Sequence, residues 1–262
     1  MMSRHFAQAL RFALRTAGAL RDTAPQPPTR LSNMSFLDDL KQQAKAREAQ
    51  LRGDLAVIER HCAQVEEACQ TVWRYLDDLG RQLEVLRPTA AARYMIDPRA
   101  VLEGLVFTDF VADLRKKRVR LGPLVERDLV EHIVLSARMV SNQKVQIAKD
   151  FPPEIERLEA RLAQAGIRAL GEAHRDAGTG RFIEQRYAFT ADLTAGVRVL
   201  PLHEEGRLQF VIRNLDGLAT IKASFAAQEV TIARLDELAK WWVGQPQHFL
   251  EGAQGVQRIE PV

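Results

Sequence analysis

The sequence has little cysteine and no long apolar run, and each shortage excludes a class of protein. Its only cysteines, Cys62 and Cys69, lie in one helical segment, whereas a secreted disulfide framework needs cysteines spread across the fold. No uninterrupted apolar run approaches the roughly 20 residues needed to span a bilayer. We therefore expect a cytoplasmic protein, in a reducing environment, with no transmembrane segment.

Motifs of known catalytic chemistry are also missing from the sequence. It contains no GxGxxG, no phosphate loop ending in GK[ST], no GxSxG, no HExxH and no CxxC. The histidines are scattered singly, so a metal site would have to be assembled from distant segments. His203 with Glu204 and Glu205 is a local grouping of a histidine with two carboxylates, and a surface loop explains it best. We expect no cofactor and no metal, and the sequence selects no catalytic residue.

Net charge is small outside the first 33 residues. The whole chain carries +3, but residues 1–33 contain five arginines against Asp22 and carry +4, which leaves −1 for residues 34–262. A general basic footprint for nucleic acid is therefore absent from the body of the chain. The composition is that of a globular protein, 46% hydrophobic and 27% charged, with enough length for one large domain or two small ones.

Residues 1–33 form a basic N-terminal extension. Apolar residues recur at steps of three and four from Phe6 to Leu20, as in an arginine-rich amphipathic helix, and a proline-rich linker follows. Ser35 fits the N-cap of a new helix, so Met34 is a candidate for the true start. Three interpretations stay open: a mis-assigned or disordered start, a targeting or membrane-surface segment, and a packed helix.

The clearest pattern is the heptad repeat of residues 34–87. Apolar residues from Leu51 to Leu86 alternate steps of four and three, which is typical of a coiled coil, and Pro88 ends the helix. A helix of about 50 residues is roughly 75 Å long, more than the width of a small domain. Its apolar seam is therefore predicted to need a partner. We assign self-association to Leu51, Leu55, Ile58, Cys62 and Val65.

The heptad positions beside the seam divide it in two. Up to Glu66 these positions are charged or polar, as in a solvated coil, and after Ala68 they become apolar and aromatic. The stretch from Val65 to Leu86 is therefore expected to pack on the globular body, while the earlier turns self-associate. Cys62 and Cys69, one heptad apart, are interpreted as small apolar residues of the seam rather than as interchain disulfides or metal ligands.

Residues 88–262 alternate apolar and polar positions as strands do, and two stretches of this region are alike. FVADL at Phe110–Leu114 and FTADL at Phe189–Leu193 are each followed by further strand patterns and an amphipathic helix. Residues 88–166 and 167–262 each fit the order βββα. An internal duplication and two unrelated segments of the same topology both explain this likeness.

The predicted loops of these two units differ in charge. In the first unit the turn after the first strand is strongly basic, a second turn is predicted at the NQK of residues 142–144, and the corresponding loop of the second unit spans residues 194–206. The basic turn consists of Arg115, Lys116, Lys117, Arg118 and Arg120. Such a cluster suits phosphate or a carboxylate-rich surface, although exposed hairpins often carry lysine simply to stay soluble. No aromatic residue interleaves with it, which weakens the case for single-stranded nucleic acid.

Together these patterns predict an α+β protein, in which a long N-terminal coiled-coil helix precedes an antiparallel-sheet domain built as two βββα units in tandem. The expected role is non-enzymatic: a homo-oligomeric adaptor, scaffold or chaperone-like protein that binds itself through the coil and another protein through the sheet domain. The alternatives are an enzyme with a site at the junction of the two units, and a binder of nucleic acid or an anionic surface through the basic turn. Nucleic acid is the less expected partner.

Overall fold

The computed structural model describes residues 36–121 and 125–260, so the predicted extension of residues 1–33 and the candidate start Met34 lie outside the described residues. Helices and antiparallel strands are both present, which confirms the predicted α+β class. In chain order the elements are α1 (Phe36–Leu86), β1 (Tyr94–Asp97), β2 (Ala100–Leu102), β3 (Val106–Leu121), β4 (Val125–Lys149), α2 (Pro152–Ala165), β5 (Glu172–Arg175), β6 (Phe182–Leu202), β7 (Arg207–Arg213), β8 (Thr220–Ala226), a 3₁₀ turn (Ala227–Glu229), α3 (Ile232–Trp242) and β9 (Gln254–Ile259).

The chain divides into two compact units, residues 1–49 and residues 50–262. The described part of the first unit, residues 36–49, is helical and solvent-exposed throughout. Its exposed residues include Phe36 and Leu37. Asp38 and Asp39 lie in the first turn of α1, where carboxylates are stabilised by the positive end of the helix dipole.

The second unit is built on one antiparallel sheet of seven strands. The strand order is β3-β4-β6-β7-β8-β9, and β5 pairs with β6 as well. Strand β4 is the longest and lies between its two neighbours, pairing with β3 up to Val140 and with β6 from Ile133 onwards. Strands β1 and β2 form a separate two-stranded hairpin.

Three of the loops predicted from sequence are wrong because the strands continue through them. Residues 115–120 lie inside β3 and pair with β4 instead of forming a turn. The NQK of residues 142–144 lies inside β4, where a shift of register between Val140 and Lys144 accommodates it. Most of the predicted loop 194–206 is the second half of β6.

These corrections change the order of elements in the first predicted unit. Two of its predicted strands are the single strand β4, and the hairpin of β1 and β2 precedes β3, so residues 88–166 contain β1, β2, β3, β4 and α2. Residues 167–262 contain β5, β6, β7, β8, α3 and β9, so β5 and β9 are additional to the three strands and the helix that the sequence predicts. The two FxADL stretches flank the same strand, since Phe110–Leu114 belongs to β3 and Phe189–Leu193 to β6, both of which pair with β4. The duplication itself stays a prediction.

One face of the sheet forms the core together with the helices. Along β4, β6, β7 and β8 alternate residues are buried, as period-two patterning predicts for a sheet covered on one face. The second half of α1 covers this face through Val65, Val72 and Leu76, each of which has no solvent exposure. Gly80 permits the close approach of helix and sheet, because a Cβ there would lie 2.9 Å from Leu135 Cδ1.

The two shorter helices also contribute buried residues to this core. Helix α2 buries Leu158 and Leu162, and it ends at Gly166, whose φ of 80° is the left-handed conformation that glycine adopts without a steric cost. Helix α3 begins after Thr231, whose side-chain oxygen accepts a hydrogen bond from Arg234 N. Its last residue, Trp242, is buried.

Candidate functional site

The apolar seam of α1 changes from exposed to buried within the stretch that sequence assigns to self-association. Leu51 and Leu55 expose 52% and 39% of their surface, and Ile58 is half-buried. Cys62 and Val65 are buried at 2% and 0% exposure, and Val65 belongs to the hydrophobic core. The structure therefore leaves Leu51, Leu55 and Ile58 accessible to a second chain, and it assigns the other two to the chain's own interior.

Three polar contacts hold α1 near the point where its seam becomes buried. His203 Nε2 lies 2.8 Å from Glu66 Oε1, and the same carboxylate oxygen accepts a 2.9 Å hydrogen bond from Val130 N. One turn earlier on the helix, His61 Nδ1 lies 2.8 Å from the carbonyl oxygen of Glu204. Helix α1 is thus tied both to β4 and to the turn between β6 and β7.

Gly206 lets that turn approach the helix closely. It has a φ of +67°, and a Cβ at this position would lie 3.1 Å from the imidazole ring of His61. Both conditions favour glycine, since an L side chain would be strained at this φ and would crowd the ring.

The Glu66 carboxylate is held in its charged form. Burial alone would raise its pKa, but the hydrogen bonds from His203 and from Val130 N, with the positive charge of Lys116 nearby, bring the pKa below its ordinary value of 4.5. The carboxylate is therefore ionised at neutral pH, where it accepts both hydrogen bonds. The role of this contact is to fix α1 on the sheet.

His203 shows where interpretation from sequence misses a partner. The sequence groups it with Glu204 and Glu205 in a surface loop, but its side chain is only 11% exposed and contacts a carboxylate on α1. The partner lies 137 positions away in the chain. The one local signal is the acidic residue Glu66 itself, the last charged flanking position before the apolar ones begin.

The two cysteines are buried in the position that the seam predicts. Both are free thiols, and Cys62 and Cys69 are 2% and 0% exposed. Burial raises the pKa of each thiol above its ordinary value of 9.0, so both stay protonated at neutral pH. Within residues 36–121 and 125–260, no three His, Cys, Asp or Glu side chains are grouped so as to hold a metal ion.

The basic residues of 115–120 lie along a strand rather than in a turn. Among Arg115, Lys116, Lys117 and Arg118, neighbouring side chains point to opposite faces of the sheet. Arg115 lies 3.3 Å from Asp113, and Arg118 lies 3.3 Å from Asp128 on β4. Lys116 and Lys117 are exposed, and the side chain of Arg120 lies outside the described residues. Arg115 and Arg118 of the predicted cluster are therefore paired with carboxylates, and anion binding by the cluster stays a prediction.

Comparison with protein-family models, with curated proteins and with solved structures finds no match for this chain. Among the described residues, no helix combines the length and the apolar character needed to cross a bilayer. Any functional conclusion therefore depends on the seam of α1 and on the surfaces of residues 50–262.

Proposed function

We propose that this protein is a non-enzymatic, self-associating binding protein, in which the exposed turns of α1 pair with the same turns of a second copy. The observation that carries the proposal is the exposure of Leu51 and Leu55 in a heptad seam in which Cys62, Val65, Cys69, Val72, Leu76 and Leu83 are buried. The leucines and Ile58 occupy the positions that meet a partner helix in a coiled coil. We call Leu51, Leu55 and Ile58 the open seam.

Burial of the open seam supplies a driving force for association. Complete burial of an exposed leucine contributes roughly 1.5–3 kcal/mol, and the leucines of the open seam retain about half and about two-fifths of their exposure. Each leucine therefore contributes on the order of 1 kcal/mol when a partner covers it, and a dimer covers four of them. A gain of this size suits an interaction that depends on the concentration of the chain.

Self-association gives each assembly more than one copy of the sheet unit. If each copy binds a partner protein weakly, joining the copies raises the effective concentration of the second binding event and strengthens the whole interaction. An adaptor or scaffold role follows from this valency. The proposal places the protein in a reducing compartment such as the cytoplasm, supported by the two free, buried thiols.

The test compares two variants of the open seam with a matched control on the same helix. Leu51→Glu and Leu55→Glu each introduce a charge at the proposed contact, whereas Ala56→Glu introduces the same charge at an exposed position outside the seam. We expect Leu51→Glu and Leu55→Glu to lower the mass measured by light scattering to that of one chain. Ala56→Glu should keep the wild-type mass.

Two results would contradict the proposal. One is a wild-type chain that stays monomeric across micromolar concentrations. The other is an assembly whose mass does not change in Leu51→Glu and Leu55→Glu, since that assembly would use a different surface. Circular dichroism of every variant should show unchanged helix content, because none of these three substitutions touches the core.

A further inference from the structure

A small cavity lies between the end of β1 and helix α2. It has a volume of about 160 Å³ and an apolar part formed by Ile96, Pro98 and Leu158. Its polar wall consists of Asp97, Lys149, Glu154, Arg157 and Arg161. Three cations and two carboxylates give this wall a formal charge of +1.

The two carboxylates of the cavity are already paired with one lysine. Lys149 Nζ lies 2.9 Å from Asp97 Oδ2 and 3.1 Å from Glu154 Oε2. Asp97, whose side chain is 9% exposed, also accepts a 3.1 Å hydrogen bond from Arg99 N. Burial would raise the pKa of Asp97, but the hydrogen bonds and the charges of Lys149 and Arg161 lower it below its ordinary value of 3.8.

The two arginines of the cavity keep most of their donors unused. Arg157 and Arg161 are four residues apart on α2, so their side chains share one face of the helix. Within the described residues, Arg157 makes no hydrogen bond or ion pair. Arg161 donates one long hydrogen bond, of 3.4 Å, to the carbonyl oxygen of Ile96. A guanidinium has five N–H donors in a planar fork that matches the oxygens of phosphate.

We infer that this cavity binds a phosphate dianion, as inorganic phosphate or as the phosphate group of a small monoester, between the guanidinium groups of Arg157 and Arg161. Two guanidinium groups on one cavity wall supply charge-assisted hydrogen bonds, which are the strong ones in phosphate recognition. The ion pairs of Lys149 keep Asp97 and Glu154 from capturing the arginines. The apolar floor limits the water that competes for the ligand.

The test is a titration with inorganic phosphate, in which binding is measured by calorimetry and by the shift of the thermal unfolding midpoint. Sodium chloride of matched ionic strength is the control. Wild-type protein should show saturable binding. Arg157→Gln and Arg161→Gln should each weaken it by at least about tenfold, because each removes a charge-assisted fork. Arg168→Gln, which removes an exposed arginine outside the cavity, should bind phosphate as the wild type does.

A substitution at Glu154 should strengthen phosphate binding instead of weakening it. Glu154→Gln removes one negative charge from the wall and releases Lys149 toward the ligand, so phosphate binding should strengthen by roughly three- to tenfold at low salt. The same titration with a phosphate monoester distinguishes a free-ion site from one that extends to an organic group. Absence of saturable binding, equal losses in Arg157→Gln and Arg168→Gln, or weaker binding by Glu154→Gln would each overturn the inference.

Discussion

Substitution by alanine should have opposite effects on the free energy of unfolding at two glycines of α1. Gly80 faces the sheet, where a Cβ would lie 2.9 Å from Leu135 Cδ1, whereas a Cβ at Gly53 would meet no atom from outside its own stretch of helix within 4 Å. Alanine is more favourable than glycine in a helix interior by about 0.8–1.0 kcal/mol. Gly53→Ala should therefore raise the free energy of unfolding by about 1 kcal/mol.

Gly80→Ala gains the same helix propensity but must also fit a methyl group into a packed core. Overpacking typically costs about 1–3 kcal/mol, and Leu135 is fully buried. The net effect is a destabilisation between about zero and 2 kcal/mol, so the two variants should differ by about 1–3 kcal/mol.

Urea unfolding followed by circular dichroism at a fixed protein concentration measures this difference. The wild-type chain and both variants are compared under identical conditions, so that any self-association affects all three alike. Equal stabilisation by Gly80→Ala and Gly53→Ala would refute the close packing of α1 on β4. A loss of stability in Gly53→Ala would refute the exposure of that turn.

Two further predictions concern the ion pairs that hold the elements together. Because the pKa of Glu66 is lowered on folding, its contribution to the free energy of unfolding is complete above the unfolded value of 4.5 and is lost as pH falls through the folded value. The difference in free energy of unfolding between wild type and Glu66→Gln should therefore shrink between pH 7 and pH 3. A difference that widens on acidification would contradict the contact with His203. Asp97→Ala leaves Lys149, 20% exposed, without its buried partner. The free energy of unfolding measured in urea should fall by about 3 kcal/mol. A fall of less than about 1 kcal/mol would show that the pair is solvated.

The helical part of the fold follows from the sequence because its signal is local. The heptad steps from Leu51 to Leu86 predict one helix, and the structure has α1 ending at Leu86. The change from charged to apolar flanking residues near Ala68 also indicates which turns are covered by the sheet, and the burial of Val72 and Leu76 agrees with it. The N-termini of α2 at Pro152 and of α3 after Thr231 can also be read from the sequence, because proline favours the first helical position and threonine favours the N-cap.

The strands are harder to predict, because a run of charged residues has the pattern of a loop when the strand that pairs with it is unknown. The basic stretch of β3 is stable as a strand since Arg118 faces Asp128 on β4, a pairing that no local pattern shows. The NQK of β4 fails to turn the chain because a bulge absorbs the extra residues, and β6 continues past its predicted end. Short strands such as β1 and β9 carry too few residues for a period to appear.

The polar sites escape prediction for a related reason. His203 and Glu66 are separated by 137 positions, and Asp97 meets Lys149 only after the sheet has formed. Arg157 and Arg161 have the spacing of a solvated helix face, and only the tertiary structure shows that they line a cavity with Asp97. The heptad seam of α1 is thus visible in the sequence, while the charged cavity depends on contacts between distant segments.

Sedimentation equilibrium of the wild-type chain measures whether a second copy covers the open seam. One chain has a mass of 29.5 kDa, and the open seam predicts a species of at least twice that mass which dissociates on dilution. A single species of one-chain mass over the whole micromolar range would contradict the claim that Leu51 and Leu55 are covered by a second copy.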